Sequence, residues 1–182
     1  MFLERSEPMA NESAVILPIP EVEPVVARLR GKYDPSARLG VPAHVTLLYP
    51  FYPPPLPDRE ITTLQGLCRS IEAFAFSFTE IRRFPATVYL HPDREENFTQ
   101  ITGLFIKTWP DCKPYGGAHA DIVPHLTVAD RVDAETLSAV EDSLRGQLPI
   151  PCVAREVWLL TSNQKGIWSK KAGFPLAAPN TN

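Results

Sequence analysis

Cysteine is scarce in this 182-residue chain: Cys68, Cys112 and Cys152 stand far apart, odd in number and without any C-x-x-C spacing. That excludes a disulfide framework and a cysteine-built zinc site, and leaves three buried thiols as the plain reading. Positive charge is not in excess either, with 18 Lys+Arg against 21 Asp+Glu and a net charge of -3. Proteins that track long duplex nucleic acid need the opposite balance, so a small phosphorylated ligand fits better. No apolar run approaches the ~20 residues that cross a bilayer. The start, Met1-Phe2-Leu3-Glu4-Arg5-Ser6-Glu7, carries acidic residues where a secretory leader carries basic ones. A cytoplasmic protein without membrane partners, acting as a monomer, is therefore expected.

What the chain does have is 44% hydrophobic and 21% charged residues, the make-up of a globular protein able to bury a core. Its 20 prolines are roughly twice the usual ~5% share and fall between periodic segments. Ala14 to Leu17 has the pattern of a strand, and Val22, Val25, Val26, Leu29 and Tyr33 then recur along one helix face. A strand over about Ala43 to Tyr49 follows. The proline-rich stretch Pro50 to Pro57 cannot pair as a central strand. Ile61, Leu64, Leu67, Cys68 and Ile71 mark a second helix, and Phe74, Phe76 and Phe78 alternate as a strand.

The second half repeats this order. A strand is expected over about Thr87 to Leu90, then a helix carrying Phe98, Ile101, Leu104 and Phe105. A strand over about Ile122 to Ala129 follows, then a helix from near Asp133 with Leu137, Val140 and Leu144. Gly146 suits the stop of that helix, and a further strand is expected over about Val153 to Leu160. Ile167-Trp168-Ser169 and Phe174-Pro175-Leu176 read as a hairpin or cover strand added to the second half, and residues 177–182 as a loose end. The chain is thus read as one domain of two α+β lobes, about 14–84 and about 85–176, related by an approximate two-fold axis.

Two short stretches of the duplication are nearly identical: His44-Val45-Thr46-Leu47 and His125-Leu126-Thr127-Val128, their histidines 81 residues apart. In a strand, residues i and i+2 share a face, so each repeat offers an imidazole and a hydroxyl side by side. Facing each other, two such pairs supply a phosphate with an acid, a base and two hydroxyl donors. Histidine suits both proton roles because its unperturbed pKa of ~6.5 lies near neutrality. The bland alternative is two strand histidines with β-branched threonines as strand formers; one occurrence favours it, and the repetition in equivalent places reverses it.

On these two H-x-[ST]-apolar motifs the chain resembles the 2H phosphoesterases, the 2'-5' RNA ligase-like or cyclic phosphodiesterase superfamily. The resemblance covers roughly Ala14 to Leu176. It implies two mostly antiparallel sheets with outer helices around a central cleft. It also implies hydrolysis of a cyclic phosphate or 2'-5' phosphodiester on a nucleotide or RNA end, with no cofactor and no metal. Catalysis would fall to His44, Thr46, His125 and Thr127. Relatives have a tyrosine where Tyr49 stands, which makes Tyr49, with Phe51, a candidate for substrate binding. In a regular strand Tyr49 would face away from His44, so a bulge is required to bring it into the cleft. Many relatives continue the second motif as H-x-T-L-A-R, whereas here Ala129 is followed by Asp130 and then Arg131, which displaces the candidate phosphate-binding arginine by one residue. Arg82, Arg83, Lys165, Lys170 and Lys171 could supply charge at the cleft rim, solvated surface being their default.

Two alternatives stand beside this reading. His119, Asp121 and His125, with His91 or Asp93, could form a metal centre, although their spacing matches no established ligand motif and Pro124 interrupts a helical arrangement. A nucleotide or RNA-end binding module with the same cleft and no turnover is the other.

Overall fold

A computed structural model describes residues 11–114 and 123–179. Among these residues eight strands form two four-stranded antiparallel sheets. The first has the order β2-β1-β7-β8, from β1 (Ser13–Pro18), β2 (His44–Leu48), β7 (Glu156–Ser162) and β8 (Trp168–Pro175). The second has the order β5-β4-β3-β6, from β3 (Phe74–Phe84), β4 (Thr87–Pro92), β5 (Leu126–Asp130) and β6 (Ile150–Ala154). This is the expected α+β class. Each sheet carries one histidine motif on its edge strand.

Helices α1 (Glu23–Tyr33), α3 (Asp58–Arg69), α4 (Glu95–Thr108) and α5 (Ala134–Leu144) follow the sequence pattern, and a short α2 (Pro35–Arg38), not expected from it, follows α1. Asp133 caps α5 by accepting from the Thr136 N–H at 2.8 Å. Gly146, at φ 82°, turns the chain just beyond it. Two of the helices pack crosswise. Helix α1, which follows a strand of the first sheet, lies on β5, while α4, which follows a strand of the second sheet, lies on β2. This exchange binds the halves into one core, in which Val45, Leu47, Leu126 and Val128 meet Phe78, Phe98 and Phe105.

The sheets do not follow the contiguous lobes read from the sequence. The division at 84/85 falls inside the β3–β4 hairpin, whose strands pair from Phe84↔Thr87 to Phe78↔Pro92. The expected strand over 153–160 is two strands in different sheets, separated at Arg155. The cause is visible in the burial: Cys152 and Ala154 are inward, then Val157 and Leu159, so the period of two breaks at Arg155 and the chain passes to the other sheet. The closing strand β8 accordingly extends the first sheet through β7, not the second. Ala177 is also not loose. Its N–H donates to Ile71 O and its carbonyl accepts from Ala73 N–H, each at 2.8 Å.

Candidate active site

The two motif strands are built alike. Residues 42–49 and 123–130 show the same succession of buried and half-buried positions. Val45 and Leu47 enter the core on one side, as do Leu126 and Val128 on the other, so His44, Thr46, His125 and Thr127 point away from it. The register shows why the repetition extends further. In the first sheet Ile16 pairs with Thr46 and Val15 with Leu48, which leaves Leu47 as an extra residue. In the second, Tyr89 pairs with Thr127 and Val88 with Ala129, which leaves Val128 extra. A bulge therefore stands at the same place in both strands.

That bulge returns the next residue to the histidine face. Tyr49 packs there with Ala14, Ile16, Val41, Leu160, Trp158 and Trp168. Its ring meets Trp168 edge-on at 6.1 Å and its hydroxyl donates to Glu12 at 3.0 Å. The equivalent residue of the other sheet is Asp130, whose carboxylate accepts from the Thr87 hydroxyl at 2.7 Å.

Each imidazole is held by its own loop. His44 Nδ1 lies 2.7 Å from the Pro42 carbonyl, and His125 Nδ1 lies 2.7 Å from the Val123 carbonyl. A carbonyl can only accept, so both Nδ1 atoms carry the proton and donate it, and in a neutral ring Nε2 is then the nitrogen without one. In the neutral His44 ring Nε2 then has a lone pair, toward which the Thr46 hydroxyl donates at 3.2 Å.

Burial pulls the His44 pKa down from 6.5 to about 4, with further depression from Arg30 and from His125, and opposition from the Pro42 hydrogen bond and Asp34. The two motif strands, β2 and β5, run close together. Behind His44 lies a buried ion pair: Arg30 Nη2 donates to Asp34 at 2.8 Å and to the Val41 carbonyl at 3.2 Å. His125 is walled by Phe84 and Tyr89, with ring centroids 5.2 and 5.5 Å away.

Other sequence candidates separate. Phe51 does not lie on the histidine face. It is 6% exposed in the core, edge-on to Tyr52 at 5.0 Å and Trp109 at 5.1 Å. The reason is that the Phe51 N–H bonds to the Ser13 carbonyl, so the chain continues alongside β1 after Tyr49 and turns this ring inward. Arg131 adopts φ 57°, its side chain is 75% exposed, and Asp130 lies 3.6 Å from its Nε. Lys170 stacks its ammonium over Trp158 at 3.9 Å. Arg83 leaves the histidine face and binds Glu141 and Ser138 of α5. His119 and Asp121 lie outside the described residues. Among the described residues no group of three His, Cys, Asp or Glu side chains is placed to hold a metal ion. His91 instead sits 3.3 Å from Glu95, and Asp93 accepts from the Ser77 N–H at 2.9 Å. No described helix is long and apolar enough to cross a membrane.

Tyr89, Phe84 and Trp158 were missed from the sequence because each reads there as an ordinary strand aromatic. Only strand pairing puts Tyr89 opposite Thr127, and Ile16 opposite both Thr46 and Trp158. A surface depression of about 380 Å³ between Glu21, Asp93, Arg94 and Arg155 includes neither imidazole.

Two four-stranded sheets, each with a His-x-Thr motif at its edge strand and those two edge strands in contact, make a two-histidine fold of the phosphoesterase kind. The family model of the 2'-5' RNA ligase superfamily matches residues 18–166, and the chain belongs to that superfamily. Among solved structures it is similar to apo LigT of E. coli (16% identity, TM-score 0.61, covering 94% of this chain and 99% of that one). It is also similar to TT0787 of Thermus thermophilus (17% identity, TM-score 0.59, 93% and 100% covered). A structure described as a phosphoesterase aligns at 14% identity and TM-score 0.58, covering 93% and 99%. No curated protein matches the chain.

Proposed function

We propose that this protein hydrolyses a cyclic phosphate or a 2'-5' phosphodiester of a nucleotide or RNA end, without a metal, by acid/base catalysis between His44 and His125. The observation that supports the reading is the paired Nδ1–carbonyl anchoring of both imidazoles at the ends of two strands in contact. A 2',3'-cyclic phosphate opens when water attacks phosphorus in line with the departing ribose oxygen. His44 is the base: with its pKa pulled down to about 4 it is neutral at pH 7, and its Nε2 takes the water proton as the new P–O bond forms. His125, carrying a proton on Nε2, gives it to the ribose oxygen as the old P–O bond breaks. Thr46 and Thr127 donate to the non-bridging oxygens, where negative charge must be held in the transition state. A proton is taken on one side and given on the other, so the pair is restored by exchange with solvent.

Tyr49 flanks the first motif as a substrate-binding residue, and Arg131 would reach substrate only by leaving Asp130. E. coli LigT has been solved with 3'-AMP, with NADP+ and with ATP, which supports a small nucleotide as ligand here. The test is a panel of nucleoside 2',3'-cyclic phosphates and 2'-5' linked dinucleotides, assayed with and without EDTA. Turnover that survives EDTA and disappears in both His44→Ala and His125→Ala is expected. Undiminished turnover in either variant overturns the proposal. Binding without product in the wild type favours the non-catalytic module.

A further inference from the structure

Arg82 and Arg83 are neighbours in sequence, yet strand alternation sends them to opposite faces of the second sheet. Arg83 is taken by Glu141 and Ser138 of α5. Arg82 pairs in register with Tyr89, and Tyr89 with Thr127, so the three form one row across three strands on the face that carries His125. With strands ~4.8 Å apart, Arg82 begins roughly 10 Å from Thr127, a gap that a long side chain narrows. Tyr89 fills the middle of the row, its ring against His125 and its hydroxyl beside the Arg82 guanidinium.

The equivalent row of the first sheet is Trp158, Ile16 and Thr46. The two-fold relation thus holds at the threonines and breaks beyond them: one row continues as Ile16 and Trp158, whose indole lies under the Lys170 ammonium at 3.9 Å, and the other as Tyr89 and Arg82, whose guanidinium belongs to the row itself. Arg82 is 41% exposed, and its Nε–H donates to Glu80 at 2.8 Å, which fixes the plane of the fork. The terminal nitrogens are the donors suited to a bidentate phosphate contact. Arg131, the arginine that the motif comparison singled out, is an exposed side chain beside the Asp130 carboxylate.

We infer that Arg82 binds a second phosphate of the substrate, outside the one held between the imidazoles, so that the preferred ligand is a nucleotide or RNA end carrying at least one further phosphate. This deepens the proposed function and rests on it for the position of the first phosphate.

The experiment is calorimetric titration of the full chain with adenosine 3'-monophosphate and adenosine 3',5'-bisphosphate, for wild type, Arg82→Gln, Arg82→Lys and Arg83→Gln. At least tenfold tighter binding of the bisphosphate is expected in the wild type and in Arg83→Gln. That preference should fall below threefold in Arg82→Gln and return in part in Arg82→Lys, which controls for folding. No preference in the wild type, or a preference unchanged in Arg82→Gln, overturns the inference. Turnover of nucleoside 2',3'-cyclic phosphates by the wild type reports separately on the two-histidine reading. An Arg82-dependent preference without turnover keeps the second phosphate site and removes the catalysis, and absence of both binding and turnover removes both.

Discussion

Acidification from pH 7.5 to 5 should destabilise this protein through His44 more steeply than its sequence alone would suggest. In the unfolded chain the imidazole titrates near 6.5, while in the fold burial lowers its pKa to about 4. Between those values the unfolded state binds the extra proton, so stability rises with pH and is lost as pH falls through 6.5 toward 4. A shift of that size amounts to ~2 kcal/mol between pH 7.5 and 5, and the ring is half-buried rather than sealed, so solvent screening reduces it to about 1–2 kcal/mol. His44→Asn retains a donor near the Pro42 carbonyl but cannot titrate. Urea unfolding at several pH values should show the wild type losing about 1–2 kcal/mol more than the variant over this range. Other histidines and the carboxylates titrate in both proteins and cancel. Parallel pH dependences, or an NMR titration of His44 centred at 6.5, would refute the reasoning.

The same depression places the acid limb of kcat/KM below the ordinary histidine range, so activity should persist at pH 5.5; a limb centred at 6.5 or above would remove His44 as the base. On the proposed mechanism Thr46→Val and Thr127→Val each remove one donor to the phosphate oxygens and should lower kcat by about 10²-fold with little change in fold by circular dichroism. Replacing Arg30 by Met leaves the buried Asp34 carboxylate without its partner, and unfolding should register a loss of about 3–5 kcal/mol. Phe98→Ala, which empties the space against Phe74 and Phe76, should cost about 3–5 kcal/mol by the same measurement.

Much of this was legible in one dimension because it depends on local period and local chemistry. Residues two apart in a strand share a face, so the pairing of His44 with Thr46 and of His125 with Thr127 follows from spacing alone. The helices announced themselves by apolar residues at helical spacing, and the repeated order of elements gave the duplicated α+β architecture. The bulge stood in the sequence only as the condition for Tyr49 to share a face with His44, and the strand pairing contains it.

Tertiary structure decided what depends on which strand lies beside which. Phe51 and Tyr49 are two residues apart and equally aromatic, but one enters the core where its N–H bonds to the Ser13 carbonyl and the other stays on the histidine face. Nothing local distinguishes Arg82 from Arg83, or tells that Arg155 is where the chain leaves one sheet for the other, because alternation fixes relative faces and never which face meets the core. The lowered pKa of His44 likewise comes from enclosure by distant segments and from His125, 81 residues away, and no stretch of sequence around the motif carries it.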